Sequence, residues 1–164
     1  PKWKQKELRE KWGCNDFNSL YNFYVPGFNL RSTDLQAFIG LRAIDKLDDY
    51  SKIRRNNFKE YIKKTKVNSI NLKERDGDFV SSFAIPFAHS KRDDIIHDLL
   101  GVGVEVRPLI AGNMASKPMW VKKHCKPWLP NSELLDKYGF YVPNHQDLTS
   151  LEISQIADII NVYK

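Results

Sequence analysis

Pro26-Gly27-Phe28-Asn29-Leu30-Arg31-Ser32-Thr33-Asp34-Leu35-Gln36-Ala37-Phe38-Ile39-Gly40 is the stretch that sets the architecture of this 164-residue chain. Pro26 and Gly27 break regular structure. Thr33, with Gln36 three residues later, forms a capping box, in which two side chains partner backbone N–H groups that the first helical turn leaves unpaired. A helix therefore starts at Thr33. From Leu35 onward, Phe38, Ile39, Leu47, Tyr50, Ile53 and Phe58 recur at helical intervals, and the pattern runs on to Tyr61 and Ile62. This spacing predicts one long, bent helix with a single buried stripe.

Outward from that helix, Val67 to Leu72 and Phe79 to Phe87 read as an antiparallel pair across the turn Asp76-Gly77-Asp78. Ser90 caps a helix from Lys91 to Leu100, closed by a left-handed Gly101, and Val104 to Arg107 alternates as a strand ending at Pro108. Pro118 to Trp128 reads as short helix and turn. Ser132 caps a helix to Tyr138, and Gly139 opens the short apolar segment Phe140 to Val142. Thr149 and Glu152 make a second capping box, after which Ile153, Ile156, Ala157 and Ile160 give the last helix its buried face. On the N-terminal side, Trp3 to Trp12 suits a short helix ending near Gly13. This order predicts an α+β fold, a long helix plus a small, mainly antiparallel sheet covered by helices.

Hydrophobic residues at 41% and charged residues at 28% suit a soluble globular chain that folds without staples. The net charge of +6 is spread along the chain, and the densest basic stretches carry apolar residues at helical spacing, so they read as solvated helix faces rather than a nucleic-acid stripe. Cys14 and Cys125 are too far apart in sequence to suggest a zinc pattern. His89, His97, His124 and His145 stand singly, so no metal site is expected. No apolar run is long enough to cross a bilayer, and a reducing cytoplasm is the expected setting.

The 26–40 stretch resembles the Gly-aromatic-Asn-x-Arg-x-Thr-Asp-x-Gln-Ala block of the sugar aminotransferase family called DegT/DnrJ/EryC1/StrS. Leu47 to Arg55 continues that family's long helix, Gly103 to Pro108 is similar to its Gly-[IV]-x-x-Arg-Pro strand, and Pro143 to Thr149 to its Pro-x-x-x-x-Leu-Thr turn. The resemblance runs from about Trp12 onward and corresponds to the C-terminal portion of a family member. It implies the small C-terminal domain of the aspartate-aminotransferase (fold type I) architecture over residues 26–164, with residues 1–25 leading from a large domain that this chain lacks. That large domain carries the family's cofactor-bonding lysine, or the histidine that replaces it in the dehydratase branch. The resemblance therefore implies no catalytic residue here and no activity for the chain alone.

By the same resemblance, the complete enzyme uses pyridoxal phosphate, with none bound by this chain alone. Its partners are a nucleotide-linked sugar and an amino donor such as glutamate, and it works as a homodimer. Asn29 and Arg31 fall near the cofactor phosphate of the neighbouring subunit, where an amide, a guanidinium and a helix N-terminus all suit an anion. Arg107 falls on the sugar-nucleotide side, and Asn113 is a further substrate contact. Leu109-Ile110-Ala111-Gly112-Asn113 departs from the Pro-Leu-His of the aminotransferase branch and looks like the Phe-Ala-Gly-Asn of 4-keto-6-deoxysugar 3-dehydratases. Transamination and 3-dehydration both stay open. Without the motif, Asn29 reads as a turn residue, Arg31 and Arg107 as ion-pair partners, and Gly112 as a turn former. The alternative reading is a stand-alone binding or interaction module that keeps this fold without catalysis. An apolar patch facing the absent domain is expected on the surface.

Overall fold

The computed structural model describes residues 2–27, 33–67, 70 and 74–164. Its sheet is organised around Gly139-Phe140-Tyr141-Val142-Pro143, where alternate side chains point to opposite faces. Strand β1 (Ala84–Ala88), β2 (Arg107–Pro108) and β3 (Gly139–Pro143) lie in the order β1-β3-β2, antiparallel at both pairings. Ile85 and Phe87 stand opposite Val142 and Phe140, and all four are fully buried. The Phe87 and Phe140 rings stack with centroids 5.7 Å apart. Each such side chain contributes about 1.5–3 kcal/mol on burial. Gly139 is required by close approach, because a Cβ there would sit 2.3 Å from the Leu135 carbonyl oxygen and 2.4 Å from Leu109 Cδ1.

Around the sheet run α1 (Lys2–Lys11), α2 (Asp34–Ile44), α3 (Leu47–Lys64), α4 (Arg92–Gly101), α5 (Pro118–Val121), α6 (Pro130–Tyr138) and α7 (Ser150–Asn161). Helix α7 buries Ile153, Ile156, Ala157 and Ile160, as its spacing predicts, and the Thr149–Glu152 capping box forms. The C-terminal half of α3 adds Phe58 and Tyr61 to the same core. Polar bonds fix its position. Tyr61 donates to the Pro143 carbonyl at 3.1 Å, Asn57 to the His145 carbonyl at 3.0 Å, and Asn161 to the Lys64 carbonyl at 3.0 Å.

The long helix expected from Leu35 is two helices, with Asp45 and Lys46 between α2 and α3. The Thr33 capping box is present, Gln36 N donating to Thr33 Oγ1 at 3.3 Å and Thr33 N to Gln36 Oε1 at 3.0 Å. Its stripe is not buried throughout: Leu35, Phe38, Ile39, Leu47 and Ile53 are exposed, and α2 has no buried residue at all. Periodicity identifies the apolar face of a helix without saying whether this chain covers it.

Pairing within the sheet also differs from the sequence expectation. β1 takes β3 as its ladder partner, while Ile70 N donates to the Pro86 carbonyl at 3.2 Å on the other edge. Residues 68–69 and 71–73 of the expected 67–72 strand lie outside the described residues. The strand expected over 104–107 is confined to Arg107–Pro108. Ser90 does not cap α4; Lys91 N donates instead to His89 Nδ1 at 3.1 Å. The left-handed residue after α4 is Gly103, φ +82°, rather than Gly101. Helix α6 starts at Pro130 instead of after Ser132, because proline fits the first helical position.

Glu74 ties the 74–80 segment to α3, accepting from Arg55 Nε at 2.6 Å and Val80 N at 3.3 Å, with Lys59 Nζ at 3.5 Å. The bond from Arg55, helped by the Val80 N–H and the two cations, outweighs partial burial and lowers the carboxyl from 4.5 to about 2. Its contribution is present above pH 4.5 and is lost as pH falls towards 2. The urea midpoint should therefore drop across that window, and Glu74→Gln should lower stability at neutral pH and flatten the drop. An unchanged acid limb in the variant would contradict this role.

Candidate functional site

Register in the sheet decides where Arg107 sits. It lies opposite Tyr141, whose side chain is half-buried on the face away from Phe140 and Val142. Tyr141 and Tyr21 share a hydroxyl–hydroxyl bond of 3.0 Å, and Phe83 packs edge-on against Tyr141 with centroids 5.6 Å apart. The guanidinium of Arg107 is paired with Glu105, Nε donating to Oε1 at 2.7 Å, and it also meets the Tyr21 hydroxyl. Tyr21 is held below its ordinary value by the bond from Tyr141, with Arg107 assisting, while burial and that same bond push Tyr141 upward. Either hydroxyl of this pair can be the donor. About half of the Arg107 side chain is exposed.

Asn113 is placed quite differently. It is 1% exposed, at the head of a short 3-10 turn (Met114–Ser116). Its Oδ1 accepts from Ala115 N at 3.2 Å, its carbonyl from Ser116 Oγ at 2.8 Å, and its own N–H donates to Asp136 Oδ1 at 3.2 Å. Asp136 also takes Lys117 Nζ at 2.9 Å, so one carboxylate on α6 holds both ends of the turn. Before the turn, Ala111 and Gly112 both adopt left-handed conformations, φ 63° and 50°. The nitrogen Nδ2 of Asn113 is buried without a partner, an arrangement that costs about 1–3 kcal/mol when nothing fills it. Arg107 and Asn113 thus belong to two neighbouring features with separate partners.

Asn29 and Arg31 lie outside the described residues. What is described beside them is the exposed first turn of α2, whose N–H groups and dipole suit an anionic group. The ring of a pyridoxal cofactor is not accommodated by the described lysine that is most enclosed. Lys117 is bound to Asp136, and the cavity that it lines has a volume of about 170 Å³, below the roughly 300 Å³ at which small-molecule sites begin. Lys117 therefore does not fit the ring of such a group, while the head of α2 suits its phosphate end. A larger groove of about 810 Å³ between residues 102–105 and α7 carries the carboxylates of Glu105, Glu152 and Asp158 with no lysine or arginine; it would repel a phosphate.

Sequence reading passed over Tyr141, Lys117 and Asp136. Alternation in β3 is the one signal that could have found Tyr141. The Lys117–Asp136 pair spans 19 residues with no local pattern. Among the described residues, no three His, Cys, Asp or Glu side chains form a metal-binding group.

A model of the DegT/DnrJ/EryC1/StrS aminotransferase family matches residues 3–161. The chain is 26% identical over 155 residues to the GDP-4-keto-6-deoxy-D-mannose 3-dehydratase of Escherichia coli O55:H7, covering 89% of this chain and 40% of that protein. It is 27% identical over 158 residues to the enzyme of that name from Yersinia pseudotuberculosis, covering 90% and 39%. The solved structure of the E. coli GDP-4-keto-6-deoxy-D-mannose-3-dehydratase with bound hydrated PLP superposes with a TM-score of 0.67 at 26% identity, covering 89% of this chain and 40% of that one. The chain thus spans about 40% of the length of the curated relatives that it matches. The expected aminotransferase-type α+β fold is borne out.

At Gly112 a Cβ would fall 1.8 Å from Asp136 Oδ1. Gly112→Ala should therefore push the carboxylate off Lys117 and the Asn113 N–H, lowering stability by about 1–3 kcal/mol. Urea denaturation reads this directly, and an unchanged midpoint would refute the claim that Asp136 organises the turn.

Proposed function

The chain belongs to the DegT/DnrJ/EryC1/StrS aminotransferase family, and from that premise we propose that residues 26–164 serve as the small domain of a pyridoxal-phosphate-dependent 3-dehydratase acting on a GDP-linked 4-keto-6-deoxysugar. The observation that carries this reading is the match of about nine-tenths of the chain to dehydratases of that specificity. Ala111-Gly112-Asn113, similar to the dehydratase branch, agrees with it. The cofactor-bonding residue belongs to the rest of such an enzyme, so the chain by itself binds no cofactor covalently and is inactive. Glutamate is the amino donor, and the setting is cytoplasmic, in keeping with the unpaired thiols of Cys14 and Cys125.

In this role Arg107 holds the diphosphate. A guanidinium forms charge-assisted, often bidentate bonds to phosphate oxygens. Glu105 must yield first, and an exposed ion pair is worth only about 0–1 kcal/mol, so a dianion displaces it readily. Tyr21 and Tyr141 keep the guanidinium at the sheet edge. Asn29 and Arg31, just before α2, reach the cofactor phosphate of a second subunit. The exposed Leu35, Phe38, Ile39, Leu41 and Ile44 supply the apolar surface for a homodimer.

Titrating the chain with GDP in a calorimeter should show binding that Arg107→Ala weakens about ten-fold, the value of one charge-assisted contact. Unchanged affinity in the variant would remove Arg107 from the site. Added pyridoxal phosphate should give no stoichiometric lysine-linked absorption; a stable one would place the cofactor residue in this chain. Sedimentation should show self-association that Phe38→Asp reduces, and a monomer at all concentrations would contradict the dimer.

A further inference from the structure

Arg107 does not stand open to an anion. Its Nε donates to Glu105 Oε1 at 2.7 Å, and its Nη2 donates to that same oxygen. These two N–H groups form the edge of the guanidinium on which a phosphate places two oxygens. The Tyr21 hydroxyl takes a further side of the group and is itself bonded to the Tyr141 hydroxyl at 3.0 Å. Glu105 thus occupies the surface that a diphosphate needs, with one oxygen where the ligand brings two.

Local geometry produces the pairing. Val106 and Pro108 are buried, so in this extended segment Glu105 and Arg107 share the outer face. A spacing of two residues brings the charges together at little cost in chain entropy. Away from the arginine, Glu105 has the groove beside α7, where the carboxylates of Glu152 and Asp158 repel it and no lysine or arginine lines the wall. The carboxylate therefore returns to Arg107 whenever the guanidinium is free. Yet the pair stays weak enough to be displaced, because its side chains are 46% and 68% exposed.

We propose that Glu105 is a built-in competitor that keeps Arg107 closed to loose anions. The inference rests on Arg107 taking the diphosphate and adds how that site is regulated. A site that must first shed its own carboxylate binds every anion more weakly by one common factor, set by the fraction of the time it is open. Free phosphate, held by the arginine alone, then falls to negligible occupancy, while a nucleotide with further contacts stays bound.

Calorimetric titration of the 164-residue chain with GDP and with GMP tests this, since the two share a nucleoside and differ in charge. Glu105→Gln should tighten both by the same factor, about five-fold, the upper end for an exposed pair. In an Arg107→Ala background it should change neither. A glutamate that merely supported the fold would lose affinity on replacement, not gain it. If Glu105→Gln fails to fold, Glu105→Ala decides by the same readings. The competitor is overturned, with the diphosphate reading intact, if GDP binding needs Arg107 and the Glu105 variant leaves it unchanged or weakens it. The same holds if the gain rises with ligand charge, which marks plain repulsion, or if it survives without Arg107. If GDP does not bind, or binds equally well to Arg107→Ala, the diphosphate reading falls and the competitor with it.

Discussion

Strand β3 is hydrogen-bonded along both edges, and the rest of the molecule is arranged around that fact. Among the described strands β1 and β2 are not neighbours, and each takes β3 as its ladder partner, so a slip of one residue in this segment would turn Phe140 and Val142 outward and Tyr141 inward. Core and surface site are therefore set by one register. Close approach of Leu109 and the Leu135 carbonyl to Gly139 leaves little freedom for such a slip. The same strand that buries the two apolar side chains against β1 presents Tyr141 to Tyr21 and Arg107.

The two features of interest depend on different kinds of support. Arg107 owes its position to backbone pairing and to a tyrosine pair that bridges residues 21 and 141, and so connects the N-terminal part of the chain to the sheet. The Asn113 turn owes its shape to one carboxylate, Asp136, combined with left-handed backbone at Ala111 and Gly112. Left-handed backbone and an unpaired buried amide occur together there.

How much of this was legible depended on the distance over which each signal acts. The capping boxes at Thr33 and Thr149 are settled within four residues and could be read directly. The buried face of α7 followed from spacing alone. The sequence reading paired the nearer 67–72 segment with the 79–87 strand, because β1 and β3 are some fifty residues apart and no local signal joins them. The apolar stripe of α2 was visible while its exposure was not, since cover is a property of neighbours. Asp136 gave no hint of holding a turn 23 residues away. Family resemblance pointed to Arg107 and Asn113, and the structure supplied what composition could not, namely that the first is open to ligand and the second nearly enclosed.

Helix α2 contributes nothing to the core formed by α3, α4, α7 and the sheet. The interior can accordingly be completed without α2. Sequence drift should divide along the same line: substitutions in the interior answer to the monomer, and those on α2 to whatever surface it meets. A variant altered only on that helix would keep its packed interior, and with it its abundance in a cell.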